Sequence, residues 1–174
     1  MKRFAFAVLG AGSLAAMSVS AMADTADFTV TATTQAALSV TCADDLRFGI
    51  IGVEPSNAAA TITVAASSGA TATSSDNAAA YPEGVSGPAA CTVSAETGAD
   101  ATASLAGTDG TFAGTTLSGL TLSDGTNSLS ADVTLSKAAA IGNETIYIGG
   151  ALTIPAAHIL YGAYTQTVTL TVTD

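Results

Sequence analysis

The stretch ETIYIGGALTIP, Glu144 to Pro155, carries Ile146, Ile148, Leu152 and Ile154 around two adjacent glycines. Alternation of this kind is the signature of a β-strand, whose successive side chains point to opposite faces. Glycine inside such a run marks a bulge or a sharp bend. The pair Gly149–Gly150 is therefore expected to bend this strand. The closing stretch GAYTQTVTLTVTD, Gly162 to Asp174, keeps the same rhythm: Tyr164, Val168, Leu170 and Val172 share one face, and threonines line the other.

Working outward, every other segment reads as short strand or turn. DDLRFGIIG (Asp44 to Gly52) is a short apolar strand broken by Gly49, and NAAATITVAA supplies Ile62 and Val64 in alternation. ADATASLAG, GTTLSGLTLSD and SLSADVTLSK are separated by Asp109-Gly110 and Asp124-Gly125, dipeptides that favour tight hairpins. Residues 67–90 are rich in Ser, Gly, Ala and Pro and read as a long exposed loop or weak hairpin before a strand resumes at Cys91. No segment combines helical period with helical length, and the three AAA clusters at Ala58, Ala78 and Ala138 offer single turns at most. The sequence holds 27 threonines, a β-branched residue suited to pleated strands. The expected class is all-β, an antiparallel sandwich of short strands.

The first 23 residues have a basic start (Lys2, Arg3), an apolar run, and Ala21 and Ala23 in an A-x-A pattern before Asp24. That is the pattern of a secretory signal peptide, shorter in its apolar part than the ~20 residues of a comfortable membrane span. The remaining 24–174 make one domain's worth of chain. It has two basic residues, Arg47 and Lys137, against 14 acidic ones. Such a chain lacks the cations to neutralise nucleic-acid phosphates, is repelled by anionic membranes, and gains solubility from its charge. No membrane insertion of the mature chain is expected. Export favours oxidation, and the two cysteines, Cys42 and Cys91, allow one intramolecular disulfide. The competing metal pair lacks the short spacing and histidines of a zinc site.

Candidates for chemistry are few. His158 is the single histidine, and no G-x-S-x-G elbow flanks a serine to make it part of a triad. Asp44-Asp45 and the Asp124 to Asp132 region carry oxygens for calcium but no D-x-D-x-D-G loop, so turn and surface roles are the better reading. Asn143-Glu144-Thr145 fits a glycosylation sequon. Lys137 could cross-link to an Asn side chain, though a strand-end lysine that opposes aggregation is the simpler account. The expectation is no enzyme, no cofactor and no metal.

The segment DFTVTATTQAALSVTC, Asp27 to Cys42, alternates for about 50 Å of extended chain at about 3.3 Å per residue, far beyond a usual strand. Phe28, Val30 and Ala32 lie on its apolar face, and Thr34, polar on that same face, suggests a hinge. Residues 24–35 then read as an extension and 36–174 as the sandwich. The bare opening and closing strands can pair within one chain. Alternatively, each subunit lends its first strand to the next by β-strand addition, which repeated head to tail gives an open filament.

The series LRFGIIG and GGALTIPAAHILYGAYTQTVTLTVTD, after an A-x-A signal and an alternating start, resembles the bacterial family called domain of unknown function 4402. More distantly it is similar to pilin-like subunits of chaperone–usher pili and to the spore coat protein U group. The resemblance implies an exported, immunoglobulin-like (pilin-like) β-sandwich that is incomplete. It implies Phe28, Val30 and Ala32 as the donor strand and Val168, Leu170 and Val172 as the edge of the acceptor groove. It further implies other copies or related subunits as partners, with a periplasmic chaperone and an outer-membrane usher on the route to the cell surface. The chain's end, Val172-Thr173-Asp174, departs from the aromatic finish that a chaperone grips in such pilins. Two functional readings follow: a structural subunit of a surface filament or coat, and a monomeric secreted adhesin or ligand-binding module.

Overall fold

The computed structural model describes residues 29, 31, 38–94, 101–157 and 161–173. They form an all-antiparallel β domain of three sheets, with strands numbered in chain order. The large sheet runs β1 (Ser39–Asp44), β6 (Ala89–Ser94), β11 (Glu144–Ile154), β10 (Ser128–Leu135), β9 (Thr116–Ser123), β8 (Thr111–Ala113), with β3 (Ala60–Val64) and β4 (Thr73–Ser74) added beside β11. A second sheet pairs β12 (Thr169–Thr173) with β7 (Thr102–Ala106), and a third pairs β2 (Ile50–Val53) with β5 (Ala80–Glu83).

The centre of this arrangement is β11, and it corrects the expectation of a bend at Gly149–Gly150. β11 is one continuous strand whose register with β10 runs unbroken from Ile148 to Thr153, and neither glycine has a positive φ. On its other edge it has two partners in succession. Glu144 to Ile148 pair with β6, and Gly150 to Ile154 pair with β3. What the glycines supply is room. A Cβ at Gly149 would strike the Val64 carbonyl oxygen, and one at Gly150 would lie 2.6 Å from the Asp132 carbonyl oxygen and 3.2 Å from the side chains of Leu46 and Phe48.

The inward faces of the large sheet carry the core in two clusters. One gathers Cys91, Val93, Leu117, Leu120, Val133, Leu135, Ile146 and Ile148 under β7, with Val168, Leu170 and Val172 packed against it. The other gathers Ile62, Leu129, Ala131, Leu152 and Ile154 with Ala79 and Ala80, and Phe48, Ile51 and Val53 pack on it. The two small sheets thus cover two halves of one face. Each has only two strands, so the second layer is open rather than closed.

Local chemistry explains some connections and tertiary context others. Asp124-Gly125 makes the β9–β10 hairpin, with Gly125 at φ 92° and Ser123 opposite Ser128. Asp109-Gly110 does not make a hairpin: the chain there leaves β7 in one sheet for β8 in another, and the Thr121 N–H donates to the Asp109 carboxylate at 3.1 Å. Residues 67–90, expected as a long exposed loop or weak hairpin, contain β4 and β5, which pair with β3 and β2 rather than with each other, and Ala79 and Ala80 are buried in the second cluster. Cys42 and Cys91 stand directly opposite in β1 and β6 and are joined, Cα to Cα 3.9 Å. Lys137 reaches Glu144 Oε1 at 2.7 Å across the β10–β11 connection.

Replacing Gly150 by Ala should lower stability by about 1–3 kcal/mol, the cost of overpacking. Gly142→Ala, whose Cβ meets nothing within 4 Å, should change it by under about 0.5 kcal/mol. The shift of the urea midpoint at unchanged slope reads both.

Candidate functional site

Between the two small sheets an apolar groove of about 1210 Å3 runs along the large sheet. Its floor is the inward face of three neighbouring strands: Leu120 and Leu122 from β9, Leu129, Ala131 and Val133 from β10, and Ile148, Leu152 and Ile154 from β11. Alternation puts these side chains here, since the residues between them, such as Ser130, Asp132 and Thr153, face the other side and are exposed.

One wall is Tyr161 to Val168 followed by Leu170 of β12; the other is Leu46 to Ile51 and Val53, which includes β2. β12 pairs only with β7 and β2 only with β5, so among the described residues each wall strand has one edge without a strand neighbour. Such an edge presents backbone N–H and C=O groups that can template another strand. The inward residues Leu170 and Val172 are only half-buried. The large apolar side chains most open to water among the described residues are Ile50 (71 %), Val85 (78 %) and Tyr161 (81 %). All three line this groove.

A strand within a layered sheet occupies about 4.8 Å in width and about 10 Å in depth and advances about 3.3 Å per residue, so roughly 160 Å3 per residue. On that scale the groove has the volume of a single strand of about seven or eight residues.

Polar groups gather at the ends of the groove. At one end Asp44, Asp45 and Arg47 line it, the last two 3.9 Å apart and exposed. At the other, Asp124 closes the β9–β10 turn: its carboxylate accepts the N–H groups of Thr126 (2.8 Å) and Asn127 (2.6 Å) and the Asn127 side-chain amide (3.1 Å). These bonds, that of the Asn127 N–H foremost, hold its carboxyl below the usual range. Tyr164 packs beside it on the second cluster, its hydroxyl pushed to a higher pKa by burial and then by the Asp124 charge. Among the described residues no group of three or more His, Cys, Asp or Glu side chains is placed to hold a metal ion. The groove offers hydrocarbon and backbone edges, the chemistry of strand or apolar-ligand binding.

Of the residues expected from sequence, Val168 and Leu170 line the groove, while Val172 lies beyond it on the first cluster. Cys42 and Cys91 border it as well. The facing wall of Leu46, Phe48 and Ile50 was missed, although the three stand at alternate positions in LRFGIIG. Phe28, Val30, Ala32 and His158 lie outside the described residues.

A family model described as Domain of unknown function (DUF4402) matches residues 38–173. No curated protein and no solved structure matches the chain.

The folded pKa of Asp124 lies below its ordinary 3.8, so its contribution to stability is present above that value and is lost as pH falls through the folded one. The thermal midpoint should therefore hold down to about pH 4 and fall below it. Asp124→Asn should show a lower midpoint at neutral pH and a shallower acid limb.

Proposed function

The chain belongs to the DUF4402 family, and from that premise we propose that it is an exported structural subunit of a bacterial surface filament or coat. Subunits assemble by β-strand donation. The observation that carries this reading is the strand-sized apolar groove, walled by two strand edges that lack neighbours and rimmed by the most exposed large apolar side chains. An added strand would join β12 to β2 and turn two small sheets into one. The immunoglobulin-like sandwich implied by the pilin resemblance would be complete only then.

The occupant is the segment 24–35 of another copy. It precedes β1, it alternates with Phe28, Val30 and Ala32 on one face, and the seven residues from Asp27 to Thr33 match the groove's capacity of roughly seven or eight. Main-chain hydrogen bonds would give the affinity and alternate side chains the specificity. The apolar lining supports binding rather than catalysis. The A-x-A leader supports export, which brings the chain to the periplasm and the cell surface, with a chaperone and an usher as candidate helpers.

The mature chain should form filaments in electron micrographs, and deletion of Asp24 to Gln35 should leave folded monomers in gel filtration. Phe28→Asp should reduce assembly strongly without lowering the melting temperature of the monomer. Unaltered assembly of the deletion would sink the proposal; a full-length chain that stays monomeric at all concentrations would favour the adhesin or ligand-binding reading.

A further inference from the structure

Every open sheet ends in strand edges, and most of those in this domain are protected. β8 has three residues and β4 two. β5 carries Pro82 and ends in Glu83. β7 has its second side taken by the chain after β10, where the Ala103 N–H donates to the Ala138 carbonyl at 2.9 Å and Ala101 bridges Ile141. The free edges of β2 and β12 belong to the groove. Short length, proline, charge and cover are the usual means of keeping an edge from pairing with another chain.

β1 has none of them along most of its length. It pairs with β6 alone, so among the described residues its other edge has no strand neighbour. Ser39 to Ala43 is free of charge and of proline. A register shift after Cys42 and the carboxylate of Asp44 blunt one end only. All of β1 is exposed except Val40. Cys42 is exposed even though it stands opposite the fully buried Cys91 and so shares the inward face. β1 therefore projects past the cover of the second layer, with Leu38 and Val40 half-buried along the margin of the first cluster.

What fits beside it is a strand with hydroxyls on one face and apolar side chains on the other, in step. β1 of a second copy is such a strand. A two-fold axis normal to the sheet keeps the inward faces together and pairs the strands antiparallel, the slightly more stable sense. Leu38, Val40 and Cys42 of both copies then form one apolar strip, and Ser39 and Thr41 meet their counterparts outside. Charge selects the same arrangement. Side by side in parallel, the two Asp44 carboxylates would stand about 4.8 Å apart. Antiparallel about Val40 or Thr41, they are about 20 Å apart or more, beyond the ~8 Å screening length of physiological salt.

We propose that β1 is a lateral interface, through which the large sheets of two copies join edge to edge across a two-fold axis. A contact six residues long falls below the ~1,000 Å2 that a stable pair of free proteins needs, so dilute subunits remain monomeric. The contact itself does not require strand donation. On the strand-donation reading, a filament presents β1 once per subunit, and contacts repeated along two filaments add in avidity. The chain then builds in two directions, end to end through the groove and side by side through β1.

Charge placed at Thr41 of the full mature chain tests this. Faces match only where the two-fold falls on a residue. Centred on Val40 or on Thr41, it sets the two Thr41 sites on a diagonal or directly opposite, within about 8 Å, so the test holds for either. Thr92 stands opposite Thr41 in β6 and is equally exposed, but one strand in, about 14 Å or more from its counterpart. Filaments of the mature chain should lie side by side in micrographs. Thr41→Asp should part them into single filaments of unchanged length, whereas Thr92→Asp and Thr41→Ser should not. A mature chain that forms no filaments would overturn strand donation and leave the contact to be read alone. Its mass in sedimentation equilibrium should then rise from monomer toward dimer with concentration, and Thr41→Asp should raise the dissociation constant about tenfold or more. Single wild-type filaments, bundles that Thr41→Asp leaves intact, or equal effects of the two aspartates would overturn the lateral interface and leave strand donation standing. A wild-type chain that is monomeric at every concentration would overturn both.

Discussion

A strand edge can hydrogen-bond one partner at each residue, and β11 divides one of its edges between two partners at Gly149 and Gly150. Everything that positions the groove follows from that division. β6 occupies one half of the edge and draws β1 and the Cys42–Cys91 bridge with it; β3 occupies the other half and brings β4. At the junction the β3 exit passes over Gly149, while Leu46 and Phe48 lie on Gly150 as the chain crosses from β1 to β2. A side chain at either glycine would hold apart backbone and side chains that now touch. The absence of two Cβ atoms lets a large sheet and a separate wall share one strand.

The consequence is a core that is competent but unevenly covered. Apart from the disulfide-bonded Cys91, the largest fully buried side chains among the described residues are aliphatic, Ile62, Leu117, Leu120, Ile146 and Ile154 among them, without the aromatic payload that dominates many cores. The loop closed by the disulfide has a sequence separation of 49, for which the chain-entropy account gives about 4 kcal/mol. That contribution matters more where the core is modest. The floor of the groove is the same aliphatic face, buried but for a half-buried Leu122, and the open second layer lies over it. Anything apolar and strand-like that binds there stabilises the folded state by mass action. Assembly and folding would thus draw on the same surface.

Local signals were legible in the sequence and non-local ones were not. Alternation identified β11, β10 and β12 because a strand's period is a property of its own residues. Asp124-Gly125 read correctly as a hairpin because its carboxylate closes its own turn. Asp109-Gly110 has the same chemistry but lies where the chain changes sheets, which depends on β9 and not on the dipeptide. Gly149–Gly150 was misread for the same reason: its meaning lies in Val64, Asp132, Leu46 and Phe48, all distant in sequence. β5 escaped notice because Ala-Tyr-Pro-Glu lacks alternation, and Pro82 argues against a central strand. Its place as an edge strand beside β2 alone tolerates that proline. Val168 and Leu170 stand in the closing alternation, which marks a strand face; only the pilin resemblance implied a groove beside it. The other wall was present as Leu46, Phe48 and Ile50, but a seven-residue run interrupted by Gly49 looks like a fragment until β5 is placed beside it.

Charge gives the last constraint. Beyond residue 23, 14 acidic residues stand against Arg47 and Lys137, so copies repel one another at distances within the ~8 Å reach that salt leaves to such forces. Loose edge-to-edge contacts, which gain one or two hydrogen bonds, are poorly placed to overcome that repulsion. A contact that fills a groove with alternate side chains and pairs both of its walls gains many bonds at once. The most open edges of the second layer can therefore stay exposed without inviting indiscriminate aggregation, while Phe28, Val30 and Ala32 sit in a stretch whose nearest charge is Asp27 at its start. If copies donate strands as proposed, net charge would select against partial contacts and the groove for the complete one.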